Sequence, residues 1–214
     1  MDVRRYMTTE IISVTGDVRV LEALDVMKAH SVKRLPVVKG SRIVGLVTDK
    51  LIAEHMPSQA TSLSMHELNY LLTKTRIEDI METKVVTIHP DALLEEAAVI
   101  MREKRIGVLP VVENNQLVGL ITSSDIFDAF VDVLGYYKPG VRLVIEIEDR
   151  AGIFEQVLAL FRQENINIEQ IAVYHENNQA QVVIQLDSQD AEHIHTLVEH
   201  AGYKVLSSLL KNGK

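Results

Sequence analysis

The residues best suited to chemistry in this sequence are Thr122, Ser123, Ser124 and Asp125, which follow an apolar, β-rich run where a helix is predicted to begin. A helix start offers unpaired N–H groups and a positive dipole end to a phosphate, and the hydroxyls of Thr122 and Ser124 add hydrogen bonds. Asp125, one turn further on, is placed to accept both hydroxyls of a ribose. The run therefore suits a nucleotide. The same letters also fit a purely structural role, because Thr or Ser caps helices and Asp is favoured in a first turn.

Motifs for catalysis do not accompany this run: the sequence has no GxSxG elbow and no HExxH, GxxxxGK(S/T) or GxGxxG pattern. Of the eight histidines, His193 and His195 are closest together, yet residues two apart on a helix point in different directions. His89 and His175 are expected at the surface, near a strand end and a turn. No nucleophile has an evident base, so we expect neither catalytic residues nor a metal site.

Composition limits the class of protein and its partners. The 214 residues are 47% hydrophobic, which is ample for one large or two small globular domains. The formal charge of −8, from 30 acidic and 22 basic residues, comes without blocks of like charge, so binding to nucleic acid is not expected. There are no cysteines, which excludes disulfides and thiolate sites and fits a reducing compartment. Because no secretion signal or membrane-length apolar run is found, we expect a cytoplasmic protein without membrane contact.

An internal repeat with an offset of 74 residues organises the first part of the chain. The run Leu35-Pro36-Val37-Val38 recurs as Leu109-Pro110-Val111-Val112. The same offset relates further identical residues: Met7 and Met81, Asp17 and Asp91, Glu22-Ala23 and Glu96-Ala97, Met27 and Met101, Gly45-Leu46 and Gly119-Leu120, and Thr48 and Thr122. Such self-similarity predicts two copies of one structural unit.

Each copy is predicted to fold as a βαββα unit. Strands are expected at 11–14, 35–38 and 43–48, and at the counterparts 85–88, 109–112 and 117–122, with one helix after the first strand and another at the end. A capping-box pattern at 64–67, followed by Leu68, Leu71 and Leu72, predicts a helix that bridges the copies. Because each unit exposes an apolar sheet face, we expect the copies to pack about a pseudo-two-fold axis with clefts between them.

A second domain follows a boundary at 135–140 that contains Gly and Pro. Its apolar spacing gives the order βαββαβ, a ferredoxin-like split unit, and the fold class is α/β (α+β). We expect the chain to divide into five segments: repeat 1 at 1–60, a connecting helical segment at 61–80, repeat 2 at 81–135, a linker at 136–140 and the ferredoxin-like domain at 141–214.

Both copies resemble CBS (cystathionine β-synthase) domains in the order of a basic residue, Leu-Pro-Val-Val, a turn and Gly-hydrophobic pair-Thr, and the second copy has a Ser/Thr-x-x-Asp ending. The resemblance implies a disc-shaped pair that senses an adenosine nucleotide such as AMP, ADP or ATP. It places the ribose on Asp125. Phosphate would lie near Thr122, Ser124 and Arg34, with Lys33 adjacent, and Ser123 is counted among the nucleotide-binding residues. The adenine pocket would be lined by Met7, Thr8, Ile11 and Ile12.

The two copies differ at the positions that matter for this ligand. Leu51 stands in the first copy where the second has Asp125. Asp49 is a poor substitute, because a shift of two positions turns a side chain by about 200° around a helix. Likewise Arg34 and Lys33 correspond to Val108 and Gly107 in the second copy. Both losses are expected to fall on the same cleft, so we predict one competent nucleotide site and one vestigial or differently used cleft.

The second domain resembles ACT domains, which sense amino acids in many metabolic regulators, in its Asp-Arg-Ala-Gly-Ile turn and its Asn-Ile-Asn-Ile run. The resemblance implies a small ligand near Asp149, Ala151, Gly152 and Ile153. A turn and packed helix face without any ligand, serving dimerisation, fits the same residues. Taken together, a CBS pair followed by an ACT domain resembles the AcuB-type proteins associated with acetoin utilisation.

Three functional hypotheses follow from these patterns and resemblances. The first is a non-catalytic regulatory sensor that binds an adenosine nucleotide, forms a homodimer and acts on a regulated metabolic enzyme. The second is a structural or interaction protein whose clefts no longer bind ligand. The third is a cryptic enzyme such as a nucleotide hydrolase, which turnover of ATP with a divalent metal would reveal.

Overall fold

The first repeat is built on an antiparallel hairpin with a helix before it and a helix after it. The computed structural model describes residues 1–55, 74–176 and 179–213. Helix α1 (Val20–Ala29) precedes the hairpin of β1 (Arg34–Lys39) and β2 (Arg42–Thr48), and α2 (Asp49–His55) follows without a gap. The helix predicted to bridge the copies from the capping box at 64–67 lies outside the described residues.

The second repeat reproduces this arrangement. A short helix α3 (Ile77–Ile80) leads into α4 (Leu94–Lys104), the hairpin of β3 (Val108–Glu113) and β4 (Gln116–Thr122), and α5 (Ser123–Val133). The two hairpins pair in the same register, and each has its one register shift between the two valines of the Leu-Pro-Val-Val run. The offset in the sequence therefore corresponds to a repeat in the backbone.

The predicted first strand of each repeat is reduced to one bridge, which corrects the expectation of strands at 11–14 and 85–88. Val14 pairs in parallel with Val37 of its own repeat. A few residues earlier, Thr8 exchanges two backbone hydrogen bonds of 2.8 and 2.9 Å with Leu120 of the other repeat. The segment divides its pairing between two hairpins, so it cannot form one continuous strand. Its counterpart in the second repeat does the same, at Ile88 and Glu82.

Glycines in the hairpins admit methionines from the opposite repeat. The Sδ atom of Met7 lies 2.7 Å from the place that a Cβ on Gly119 would take, and Met81 lies against Gly45 in the same way. Because a side chain at either glycine would collide with the methionine, the glycines are required for the close approach of the two repeats. The repeats are thus joined by the exchange of equivalent segments, as a pseudo-two-fold arrangement requires.

The ferredoxin-like domain has the predicted βαββαβ order. In chain order its elements are β5 (Gly140–Glu148), α6 (Ile153–Gln163), β6 (Ile168–Glu176), β7 (Gln179–Leu186), α7 (Ala191–His200) and β8 (Lys204–Lys211). The four strands form one sheet in the order β6-β7-β5-β8, with antiparallel neighbours throughout. Alternate residues of the central strands, such as Leu143 and Ile184, are fully buried together with Val157 and Phe161 of α6. The α/β fold class predicted from the sequence is confirmed.

The other face of this sheet carries polar side chains that hold the segment 132–139. One residue of each strand donates a hydrogen bond to a backbone carbonyl of this segment: Arg142 to Leu134, Gln170 to Asp132, Gln185 to Pro139 and Lys211 to Tyr136. Gln185 is only 1% exposed, so its amide depends on these carbonyls. The compact unit that contains the sheet accordingly begins at Phe127, and the repeats form another unit, Met1–Ile126.

Within the described ranges, no helix is both long enough and apolar enough to span a bilayer.

Candidate functional site

The start of α5 is closed by a reciprocal capping box between Thr122 and Asp125. The backbone N–H and the hydroxyl of Thr122 both donate to Oδ2 of Asp125, at 2.6 and 2.8 Å, and the Asp125 N–H donates to the threonine Oγ1 at 3.4 Å. The structural role expected for these residues is therefore present. It engages one carboxylate oxygen, and Oδ1 makes no hydrogen bond to any described residue, so the cap leaves that oxygen available to a ligand.

A cleft of about 320 Å³ lies between the two repeats at this helix start. The first repeat contributes residues from its N-terminal segment and from the turn before β1, and the second contributes residues of its hairpin. The lining consists of Thr8, Glu10, Ile12, Ser31, Val32, Lys33, Arg34, Val108, Leu120 and Thr122. Five of these, Thr8, Ile12, Lys33, Arg34 and Thr122, are among the nucleotide-binding residues predicted from the sequence, and the structure brings them together.

Arg34 supplies an unneutralised cation to the cleft. It is the first residue of β1 and is half-buried, and its guanidinium makes no hydrogen bond or ion pair within the described part of the chain. Its Nη2 atom lies 2.9 Å from the position that a Cβ on Gly107 would occupy. A residue of the first repeat thus reaches the turn that precedes β3 in the second repeat. Lys33, beside it, is exposed.

The other five predicted nucleotide-binding residues, Asp125 among them, are not part of the cleft lining. Ser123 directs its hydroxyl towards the sulfur of Met101, 3.7 Å away, and Ser124 is exposed on the first turn of α5. The Met7 side chain packs on Gly119. Ile11 is not among the lining residues, although both of its neighbours, Glu10 and Ile12, are.

Glu10 and Ser31 are cleft residues that the sequence analysis missed. The spacing of two among Thr8, Glu10 and Ile12 is the signal for Glu10, since all three line the cleft, although the chain bends at Glu10. Ser31 has a φ of 55°, and so does Arg105 at the equivalent position of the second repeat. This left-handed residue follows the C-cap of α1 and lines the cleft, but nothing in the residue type serine signals it.

The corresponding helix start in the first repeat lacks the carboxylate. The Leu51 N–H donates to Oγ1 of Thr48 at 3.0 Å, so the threonine caps α2 as its counterpart caps α5. Leu51 itself packs against the apolar core of the repeat. Asp49 accepts a hydrogen bond from the Lys50 N–H at 2.8 Å, so its carboxylate is held at the first position of the helix and does not replace Asp125.

The ferredoxin-like domain has a cavity of about 620 Å³ beside the turn that was predicted to bind a small ligand. Of the four predicted residues, Ile153 lines the cavity, and the other three do not. Gly152 begins α6 with a φ of 82°, and Asp149 pairs with His175 at 3.0 Å. The charged groups along the cavity also pair with each other, Lys204 with Glu146 at 2.7 Å and Arg150 with Glu148 at 3.5 Å.

One cluster with the residue types of a metal site is occupied by an arginine. The ligand atoms of His89, Asp91 and Glu113 lie within 4.8 Å of one another. The Arg4 guanidinium bonds to both carboxylates, at 2.8 and 2.7 Å, and these bonds, first that of Glu113 and then that of Asp91, raise the pKa of Arg4. The cluster therefore serves to anchor the N-terminal turn on the second repeat.

The closest histidine pair of the sequence does not converge on one point. His193 lies 3.4 Å from a carboxylate oxygen of Glu164, and His195 lies 3.3 Å from one of Glu199. The two rings therefore have separate partners, in line with their spacing on α7.

Comparison with known proteins identifies the family. The CBS domain model matches residues 3–58 and 77–132, and the ACT domain model matches residues 140–200. The chain therefore belongs to the CBS-domain family, with a tandem pair of CBS domains followed by an ACT domain. The resemblance recognised in the sequence is confirmed.

Relatives of known sequence or structure match a similar share of the chain. The CBS domain-containing protein YhcV of Bacillus subtilis is 31% identical over 124 residues, which cover 58% of this chain and 81% of YhcV. A solved structure described as an acetoin utilization protein (AcuB) of Vibrio cholerae is 27% identical, with a TM-score of 0.53 over 63% of this chain and 93% of that one. The CBS domain pair of protein MJ0100, solved in complex with 5′-methylthioadenosine and S-adenosyl-L-methionine, is 26% identical, with a TM-score of 0.51 over 62% and 97%.

Proposed function

We propose that this protein is a non-catalytic regulatory sensor that binds an adenosine nucleotide, AMP, ADP or ATP, in the cleft between its two CBS repeats. The observation that carries the proposal is the composition of one cleft. It combines the cations Lys33 and Arg34 of the first repeat with Thr122 of the second, beside a carboxylate that keeps one oxygen without a partner among the described residues. A nucleotide needs these groups: cations and donors for phosphate, and an acceptor for ribose hydroxyls.

The proposed orientation follows from where the groups stand. The ribose hydroxyls donate to Oδ1 of Asp125, which the cap leaves available. The phosphate meets Arg34 and Lys33, with the Ser124 hydroxyl and the N-terminal turn of α5 nearby. The adenine ring lies against Thr8 and Ile12 of the N-terminal segment, with Met7 and Ile11 behind them.

The known relative MJ0100 supports the ligand class, since its CBS pair was solved with two adenosine compounds. The regulatory role requires that the ligand favour one arrangement of the molecule over another, because a ligand that binds all arrangements equally shifts none. We propose a cytoplasmic homodimer in which this shift reaches a metabolic enzyme. The ACT domain binds a small metabolite near Asp149, Ala151, Gly152 and Ile153 or contributes to dimerisation.

Titration calorimetry with AMP, ADP and ATP tests the proposal. Asp125→Ala removes the ribose acceptor, and the loss of a hydrogen bond to a charged group lowers affinity by about 1.5 to 3 kcal/mol. Asp128→Ala is the matched control, because Asp128 is an exposed aspartate three residues further along the same helix and takes no part in the cap at the helix start. Equal affinity of the wild type and Asp125→Ala for every nucleotide would refute the ribose role.

A structural or interaction protein is the second candidate, favoured by the capping role that Asp125 already has. Under this candidate none of the nucleotides binds the folded wild-type protein, and Asp125→Ala changes only its thermal stability. The absence of both heat and thermal shift with the whole nucleotide panel would decide for it.

A further inference from the structure

Gly107 lies where groups from the two repeats meet. A Cβ at this position would be 2.9 Å from Nη2 of Arg34 and 3.5 Å from the hydroxyl of Ser123. The guanidinium therefore occupies the space that a side chain at 107 would take. Ser123 is the first residue of α5, so this space adjoins the start of the helix at the candidate site.

The backbone gives no reason for a glycine at this position. Gly107 is not among the residues with positive φ, and the equivalent position of the first repeat is Lys33. An ordinary side chain is therefore compatible with the local conformation. The absence of a side chain at Gly107 leaves space, and the Arg34 guanidinium lies in that space.

Arg34 is suited to phosphate when it is held in this position. A guanidinium offers a planar set of donors that binds phosphate in a bidentate manner. Lys33 adds a second positive charge to the cleft, against one negative charge from Glu10. A ligand with a phosphate gains from both cations, whereas an uncharged nucleoside gains from neither.

We propose that Gly107 is a positioning residue that admits the Arg34 guanidinium to the start of α5, and that the cleft thereby selects phosphorylated adenosine ligands over unphosphorylated ones. This inference rests on the proposed function. It separates the ligand of this cleft from 5′-methylthioadenosine and S-adenosyl-L-methionine, neither of which carries a phosphate. Both repeats contribute to this preference for a phosphate: the first supplies the Arg34 guanidinium, and the second leaves space for it at Gly107.

Calorimetry with AMP and with adenosine, on the full chain, tests the inference. Gly107→Ala places a methyl group against the flexible end of Arg34, so the protein folds while the guanidinium is displaced. We expect AMP affinity to fall roughly 10- to 100-fold, the range expected for a lost hydrogen bond to a charged group, with adenosine affinity unchanged. Arg34→Ala lowers AMP affinity at least as much. In the double variant Gly107→Ala adds nothing to the loss, because its effect acts through Arg34.

Gly16→Ala is the matched control, since its added Cβ also meets a neighbour closely, Glu78 at 3.1 Å, and Gly16 does not line the cleft. This variant keeps the wild-type preference for AMP over adenosine. Equal losses of AMP and adenosine in Gly107→Ala would show a merely structural role and overturn the inference. Unchanged AMP affinity in Gly107→Ala, or equal wild-type affinity for AMP and adenosine, would overturn it while leaving nucleotide binding in place. If no adenosine compound binds the wild type, the proposed function fails and the inference with it.

Discussion

The two CBS repeats differ little in backbone and strongly in the groups at their helix starts. Both hairpins have the same register and the same irregularity, and both following helices are capped by a threonine. At the third helical position, however, one repeat has an apolar Leu51 that packs on its core and the other has Asp125. The comparison shows that the two repeats share their packing and their threonine caps, whereas a carboxylate at the third helical position is present in the second repeat only.

Core truncation gives the largest expected effect and tests whether packing is equal in the two repeats. Leu35 and Leu109 are equivalent residues, both 0% exposed. Leu35→Ala and Leu109→Ala should each lower the free energy of unfolding by about 2 to 5 kcal/mol, because a cavity adds to the lost burial. Urea denaturation measures the two values, and a neutral result for either leucine would contradict equal packing.

The second largest effect is expected at Gly45 and Gly119, the glycines that contact a methionine of the opposite repeat. An added Cβ in Gly45→Ala or Gly119→Ala meets a methionine side chain and a backbone carbonyl, Glu82 O at 3.3 Å or Thr8 O at 3.1 Å. Overpacking of this kind costs about 1 to 3 kcal/mol, to a similar degree in both. Only Gly119→Ala displaces the segment with Thr8, which lines the cleft, so it alone should weaken AMP binding in calorimetry. Equal weakening by Gly45→Ala would mean that the repeats do not differ as proposed.

Removal of the capping threonines should lower the stability of the protein by a smaller amount, and by different amounts in the two repeats. Thr48→Ala and Thr122→Ala each remove a cap worth about 0.5 to 2 kcal/mol. The loss should be larger for Thr122, because its hydroxyl also donates to Asp125 at 2.8 Å. Thermal unfolding without ligand measures the difference, and the reverse order would show that the carboxylate adds nothing to the cap.

The smallest effect concerns a pair of equivalent aspartates with different partners. Asp91 bonds to Arg4, whereas the Thr15 hydroxyl donates to Asp17 and, with a backbone hydrogen bond, lowers the pKa of that carboxyl. A carboxyl group whose pKa is lowered by folding stabilises the folded state at pH values above its ordinary pKa. This stabilisation is lost as the pH falls through the folded-state pKa. Thr15→Val should raise the pKa of Asp17 towards its ordinary value in an NMR titration. The control Thr48→Val should leave it unchanged, and an unaltered pKa in Thr15→Val would assign the shift to another group.

The repeat offset predicted most of the first unit because identical residues at equal spacing impose equal pairing. The two hairpins and the helices after them lie where the sequence indicated, and the family and fold class were recognised from short motifs. The strand prediction at 11–14 failed for a physical reason: the segment bonds to two hairpins, one of them in the other repeat, and local alternation does not register a partner so far along the chain.

The candidate cleft was predictable by residue type and not by geometry. Motif matching indicated Arg34, Lys33 and Thr122, which line one cleft. It did not indicate that Asp125 would use one carboxylate oxygen for a cap and keep the other without a partner among the described residues, nor that Gly107 would leave space for a cation of the other repeat. Both facts depend on side-chain directions across a tertiary contact, which a linear pattern does not contain.

The hydrogen bonds from the ACT sheet to segment 132–139 have a practical consequence for fragment design. A recombinant fragment starting at Val141 would strip the acceptors from all four donor side chains and leave the amide of Gln185, which is only 1% exposed, without its two carbonyls. A fragment starting at Phe127 keeps every one of these bonds. Truncations cut at the apparent linker would therefore report on a damaged domain, and autonomy of the sheet should be assayed from the earlier start.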